Sequence, residues 1–157
     1  MKAENVNSFV QGAQNTLTLI CGETGKLGKL FVKQGDYEAL TFSVVVGFVG
    51  QVKGEAIYTM DSECALHLAS KVMMGMSVAS MDDMARSAVS ELANMISGHA
   101  ANMLSKHGLE VDITPPIFIE GTKSDKFAFV KPEDKVICMP MSLSSGQIFE
   151  IDLHLEA

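Results

Sequence analysis

The spacing of apolar residues predicts three helices, because in three segments they recur every three or four positions, as on one face of a helix. The third helix is the longest, and Asp82 and Asp83 stand in its first turn, where the helix dipole favours acidic side chains. Gly108 follows its last turn, at the position where many helices end in a left-handed residue. The predicted helices cover Asn5–Ile20, a segment from Asp61 or Ser62 to Gly75, and Ser80–His107.

Segments rich in β-branched residues or with alternating polarity predict strands. The longer ones form two hairpins, with bends at 47–50 and at 144–146, and the glycines of 22–28 indicate a loop. The predicted strands are Leu30–Lys33, Glu38–Val46, Gln51–Met60, Ile117–Glu120, Phe127–Val130, Asp134–Leu143 and Gln147–Glu156.

The order of these elements favours an α+β fold with an antiparallel β-sheet, because helices and strands are segregated rather than arranged in repeated βαβ units. A helix followed by a short strand and a long hairpin occurs in both halves of the chain, although no residue-level repeat accompanies it. The length of 157 residues suits a single domain, which we predict to span residues 1–157.

Composition excludes several classes of function. The net charge is −7, and no basic cluster longer than a pair occurs, so we expect no nucleic-acid partner. The three cysteines have no CxxC spacing, which argues against a disulfide framework and a thiolate metal site. The most apolar stretch, Leu40–Val52, is too short to cross a bilayer, and the N-terminal residues lack the apolar core of a signal peptide. We therefore expect no membrane association and a cytoplasmic location.

The face of the third helix opposite Leu92 is unusual, since Ser, Gly and Ala dominate where a solvated helix normally carries long polar residues. Gly98 lies in mid-helix, where glycine is about 0.5–1 kcal/mol less favourable than alanine. Small residues would let another protein come close to the helix. The predicted outer face comprises Asp83, Ser87, Ser90, Glu91, Asn94, Ser97, Gly98 and Ala101.

Two longer polar side chains stand together on this face, because Glu91 and Asn94 are three residues apart. A carboxamide can hold a water molecule in line for phosphoryl transfer, and a carboxylate can bind a cation on a partner. The spacing alone does not establish catalysis, since Glu4 and Asn7 share it and asparagine often merely decorates a helix surface.

The context of the pair adds a resemblance. The pattern Ser87-x-x-x-Glu91-x-x-Asn94 resembles the signature of the CheC/CheX/FliY phosphatase family, and residues 91–98 look very like its CheX form. Pro115 and Pro116 lie about where that signature is followed by a proline. The chain length and the order of helices and strands also match CheX-like proteins across essentially the whole chain.

The resemblance implies a pseudo-symmetric fold with helices packed on one side of the antiparallel sheet. It also implies a homodimer and a phosphatase that acts on the phosphoaspartate of a CheY-type receiver. Asn94 would position the attacking water, Glu91 would pair with the receiver's lysine, and the receiver would supply Mg²⁺, so that this chain needs no cofactor of its own. The expected contacts with the receiver come from Ser87, Ser90, Ser97, Gly98 and Ala101.

Two other interpretations stay open on the sequence. The chain could be a non-catalytic module of the same fold that binds a receiver or serves as a flagellar-switch scaffold, or it could be a structural dimer without a receiver partner. The Glu4/Asn7 pair, at the start of the first helix, is expected to be a vestigial second site.

Overall fold

Three α-helices appear within residues 2–156, the part of the chain that the computed structural model describes. They are α1 (Ala3–Thr16), which continues into a π-helical turn at Leu17–Cys21, α2 (Ser62–Val72) and α3 (Asp83–Lys106). Asp61 caps α2 at the predicted start, and its carboxylate accepts a hydrogen bond from the Cys64 amide at 2.8 Å. Asp82 lies before α3 rather than in its first turn as predicted, and its carboxylate caps the helix by accepting a hydrogen bond from the Ala85 amide at 2.9 Å. None of the helices in this range is both long and apolar enough to span a membrane.

The strands between residues 2 and 156 form one antiparallel sheet of eight. They are β1 (Gly25–Leu27), β2 (Phe31–Gln34), β3 (Phe42–Gly50), β4 (Gly54–Met60), β5 (Val111–Ile113), β6 (Ile117–Glu120), β7 (Lys135–Leu143) and β8 (Ile148–Leu155).

The topology has the pseudo-symmetry that the sequence pattern suggested. Strands β4 and β8 pair at the centre, each beside its hairpin partner, β3 or β7. The short strands β5 and β6 pair with β3, while β1 and β2 pair with β7. Apart from α2, which joins them, each half of the chain therefore supplies a helix, two short strands and a long hairpin, and its short strands lie against the hairpin of the other half.

All three helices pack on one face of this sheet, as predicted, and α1 lies directly against α3. The contact is close at Gly12, where an added Cβ would lie 3.0 Å from the backbone oxygen of Ile96 and 3.1 Å from the backbone nitrogen of Ala100. The buried side of α3 is almost entirely apolar and joins the main core. Its fully or largely buried residues are Ala85, Ala88, Val89, Leu92, Ala93, Ile96, Ser97, Ala100 and Leu104.

Loops cover the other face of the sheet, and here the prediction of a strand at Phe127–Val130 is wrong. Asp125–Phe127 is a 3₁₀ turn, capped by the Ser124 hydroxyl, which accepts a hydrogen bond from the Lys126 amide at 3.1 Å. Phe127 and Val130 are both buried, and their spacing of three suits a helical turn that points both side chains at the sheet. Local capping thus overrode the apolar pattern.

Other boundaries also differ from the prediction. The bend expected at 47–50 is strand, and β3 runs on to Gly50, because its last three residues pair with β5. Gly47 leaves room for Thr114, whose hydroxyl oxygen would lie 2.8 Å from an added Cβ. The predicted loop at 22–28 contains β1, and β5 was not predicted. Both strands have three residues, and pairing with distant strands rather than local pattern determines them.

A buried hydrogen bond ties α3 to the centre of the sheet. The hydroxyl oxygens of Ser97 on α3 and Tyr58 on β4 are 2.7 Å apart, and Ser97 is completely inaccessible to solvent. Burial raises the pKa of Tyr58, and the bond to Ser97 offsets part of that rise. The pair therefore remains neutral and fixes the rotation of α3 relative to the sheet.

We predict that Ser97→Ala destabilises the protein by about 1–3 kcal/mol, because it leaves the Tyr58 hydroxyl buried without a partner. The double variant Tyr58→Phe/Ser97→Ala should be more stable than Ser97→Ala alone, since it removes both polar groups. Urea unfolding measures both, with the partly exposed Ser90→Ala as the control on the same helix, expected within about 0.5 kcal/mol of wild type. Equal stability of Ser97→Ala and Ser90→Ala would contradict a structural role for this bond.

Candidate functional site

The outward side of α3 carries the predicted acid–amide pair. Ser87 and Glu91 are exposed, and Asn94 and Gly98 are partly exposed. Their spacings of four, three and four place them along one stripe of the helix. Residues at such spacings have Cβ atoms about 5–6 Å apart, so Glu91 and Asn94 can contact the same small group on a partner.

The two side chains have no partners within the described chain. The ion pairs and the hydrogen bonds between side chains in residues 2–156 all involve other residues. A carboxylate and a carboxamide are thus held on a rigid helix of 24 residues with their hydrogen-bonding capacity free.

Packing within the chain does not explain Gly98. A Cβ added to this residue would meet nothing within 4 Å, whereas one added to Gly12 would press on the backbone of α3. The absence of a side chain at Gly98 therefore leaves open space beside Asn94 on the outside of the molecule. This is the geometry expected where another protein must approach the helix closely.

The structure corrects the predicted outer face at Ser97. We placed Ser97 among the residues that contact a partner, but its side chain is buried against Tyr58. The buried face is centred nearer Ala93 than Leu92, which turns Ser97 inward. Ser90 and Ala101 lie at the margin of the outer face and are partly buried.

The second acid–amide pair lies on α1, where Glu4 and Asn7 are both exposed. Their spacing continues to Gln11, also exposed, just as that of Glu91 and Asn94 continues to Gly98. A long amide side chain thus stands on α1 where α3 has none. Glu4 also lies in the first turn of its helix, which has no side-chain cap.

Sequence reasoning missed an apolar groove beside the stripe. The apolar spacing of the predicted first helix, Asn5–Ile20, brings Ile20 to the same face as Leu17, but the π turn exposes both Leu19 and Ile20 next to α3. A period of 3.6 residues cannot reveal such a turn, and only the glycine that ends the helix at Gly22 marked the region. The groove is lined by Thr16, Leu19, Ile20, Met95, Gly98, His99 and Asn102.

One further cluster has the residue types of a metal site. Cys138, Glu150 and Asp152 offer ligand atoms within 4.8 Å of one another on the loop-covered face of the sheet. A cationic group already lies there, because the Lys33 ammonium is 3.1 Å from Glu150 and 3.2 Å from Asp152. The Tyr37 hydroxyl also donates to Asp152 at 2.6 Å. The single ammonium offsets part of the negative charge of the two carboxylates, and the network lies on the side of the sheet away from α3.

A large cavity lies on that same side. Its volume is about 770 Å³, and Val45, Ile119 and Phe129 are among the apolar residues that line it. Since α3 packs on the opposite face, this cavity is separate from Glu91 and Asn94.

Comparison with known proteins agrees with this geometry. A model of the family described as Chemotaxis phosphatase CheX matches residues 42–138, more than half of the chain. The CheY-P phosphatase CheX of Thermotoga maritima is 33% identical over 155 residues, which cover 99% of this chain and 96% of that protein.

Solved structures share the whole fold. A CheC-like superfamily protein from Shewanella sp. PV-4 is 28% identical, with a TM-score of 0.81 and 100% of each chain covered. A chain of the CheX–CheY–BeF₃–Mg²⁺ complex from Borrelia burgdorferi is 29% identical, with a TM-score of 0.78 and 97% of each chain covered. On the family match and the full-length relative, this chain belongs to the CheX family of chemotaxis phosphatases.

Proposed function

We propose that this protein hydrolyses the phosphoaspartate of a CheY-type receiver domain. The observation that carries the proposal is the exposed, unpartnered Glu91/Asn94 pair on α3, with open space at Gly98 beside it. The Thermotoga relative is named as a CheY-P phosphatase, and the Borrelia relative was crystallised in complex with CheY, BeF₃ and Mg²⁺. A receiver is therefore the partner that suits this surface best.

Asn94 would act on the attacking water. Its amide oxygen accepts a hydrogen bond from the water and holds the water oxygen in line with the phosphorus. The water oxygen forms a bond to phosphorus while the bond between phosphorus and the acyl oxygen breaks. The electron pair of the broken bond stays on the aspartate carboxylate. Both protons of the water remain with the phosphate, which leaves as H₂PO₄⁻. Because the transition state is loose, positioning supplies most of what the catalyst can contribute.

Glu91 would fix the register of the two proteins. Its exposed carboxylate pairs with the lysine of the receiver, one helical turn from Asn94. The receiver brings the Mg²⁺ that balances charge on the phosphoryl group, so that the chemistry asks of this chain only an acid and an amide. Ser87 and Gly98 flank the pair and let the receiver's backbone approach α3.

We predict that Asn94→Ala lowers kcat for dephosphorylation by roughly 10²–10⁴-fold, the range for loss of a positioned catalytic group, and leaves affinity for the receiver nearly unchanged. Glu91→Ala should weaken binding as well as rate. The measurement is phosphate release from a receiver phosphorylated by a small phosphodonor. Asn7→Ala is the matched control, because Asn7 has the same spacing to a glutamate on the other helix, and it should keep the wild-type rate if that pair is vestigial.

Binding of a receiver activated with beryllofluoride and Mg²⁺ separates catalysis from sequestration. A wild-type protein that binds this receiver without accelerating phosphate loss would be a non-catalytic receiver-binding module. An Asn94→Ala variant with the wild-type rate would contradict the mechanism.

Gly98 allows a second prediction that separates stability from docking. Gly98→Ala should stabilise the protein by about 0.5–1 kcal/mol, because the added methyl group meets nothing and alanine favours helix. Gly98→Leu should remain folded but bind the activated receiver at least roughly tenfold more weakly, because a side chain then fills the space next to Asn94. Urea unfolding and calorimetric titration measure the two effects, and wild-type affinity in Gly98→Leu would remove the steric argument.

We also propose that the protein is a cytoplasmic homodimer in which a second copy extends the sheet. Both edges of the sheet carry exposed apolar residues: Leu30, Phe31 and Val32 at or beside β2, and Ile117 on β6. Light scattering after size exclusion should give twice the chain mass, and either Val32→Lys or Ile117→Lys should give the monomer, because lysine on an edge strand opposes pairing. A monomeric wild type at micromolar concentration would contradict the proposal.

A further inference from the structure

The π turn at the end of α1 exposes two aliphatic side chains. Thr16 and Leu17 are buried, so a continuous α-helix would bring Ile20 onto the same face. The wider π turn instead buries Cys21, which is 5% exposed, and leaves Ile20 36% and Leu19 76% exposed. One inserted residue per turn thus converts core positions into surface positions.

This turn is held in place at its end. Gly22 adopts a left-handed conformation with φ of 63°, and the Glu23 amide donates to the Leu17 carbonyl at 3.1 Å. The Glu23 carboxylate in turn lies 3.3 Å from the His67 ring on α2. The exposed aliphatic pair therefore belongs to a capped, tethered segment of the structure and not to a frayed terminus.

The exposed pair forms one wall of the groove beside Gly98. The groove has a volume of about 250 Å³, and Met95 and Gly98 of α3 form its opposite wall. Gly98 follows Asn94 by four residues, about 6 Å along the helix. The groove and the acid–amide stripe are thus one continuous surface that shares Gly98.

We propose that this groove receives an apolar side chain of the same receiver on which Asn94 acts, an inference that rests on the proposed function. A specific interface of standard size buries about 800 Å² on each partner, more than one helical stripe of short residues offers. A receiver seated on Asn94 and Gly98 must extend over neighbouring surface. On the Met95 side, that surface is the groove with Leu19 and Ile20.

The groove and the acid–amide stripe differ in chemistry and would make different contributions to binding a receiver. The residues that line the groove include no carboxylate, lysine or arginine, whereas the stripe offers an acid and an amide. Apolar contacts in the groove would supply affinity without touching the phosphoryl group, and Glu91 and Asn94 would supply register and chemistry. Leu19 is thus a residue of affinity and receiver choice, distinct from the catalytic pair.

The test is Leu19→Ser in the full chain, with a CheY-type receiver activated by beryllofluoride and Mg²⁺. We expect Kd to rise roughly tenfold or more, as for loss of a buried leucine side chain, and KM to rise in parallel with unchanged kcat. Asn94→Ala should instead lower kcat and leave Kd nearly unchanged. Leu19→Met keeps the apolar volume and should restore affinity. Val49→Ser is the matched control, because Val49 is a 53% exposed aliphatic residue on the face of the sheet away from the helices, and it should keep the wild-type Kd.

Each result decides between the groove and its alternatives. A wild-type Kd in Leu19→Ser would overturn the groove proposal and leave the proposed function intact if Asn94→Ala is inactive. If Leu19→Ser changes the oligomeric mass but not the receiver affinity, the groove binds a second copy of this chain. That result would also overturn the groove proposal. Tight receiver binding that depends on Leu19, without phosphate release, would uphold the groove and refute the phosphatase activity.

Discussion

The close packing of α1 on α3 at Gly12 is the constraint on which the rest of the site depends. With no side chain at that position, the backbones of the two helices meet, and the face of α3 that contains Ile96 and Ala100 must be buried. The Tyr58–Ser97 hydrogen bond fixes the same rotation from the side of the sheet. Glu91 and Asn94 reach solvent because these contacts leave α3 no other orientation.

Two mid-helix glycines thus serve opposite purposes. Gly12 is small because its own molecule occupies the space, so a side chain there would push the helices apart. Gly98 is small although its own molecule leaves the space open. Because glycine weakens a helix by about 0.5–1 kcal/mol relative to alanine, the open position needs a reason outside the chain, and a closely docked partner provides one.

The sequence predicted the helices, the two long hairpins and the acid–amide pair, because each depends on a local period or on a recognisable motif. Apolar spacing, the acidic residues near its start and the glycine after its end placed α3 within a few residues of its observed limits. The prediction that Ser97 lies on the outer face was wrong because a serine within a helix is normally taken for a surface residue. Only the tertiary contact with Tyr58 shows that it is buried. Ile20 was misplaced because a π turn changes the period without a clear signal in the residues. The three-residue strands β1 and β5 were not predicted because pairing with strands distant in sequence defines them.

The site is small because its proposed substrate brings most of the machinery. If the receiver supplies the phosphoryl group, the Mg²⁺ and the lysine, then the phosphatase adds one carboxylate and one amide, and both must be placed accurately relative to another protein. Accuracy of this kind requires a rigid support, which α3 obtains from α1 and the sheet. It also requires binding energy from elsewhere, because two polar side chains at a wet surface contribute little affinity of their own. The π turn places apolar surface next to the acid–amide stripe without disturbing the helix that carries it, so that binding and the proposed chemistry reside on adjacent but separate elements.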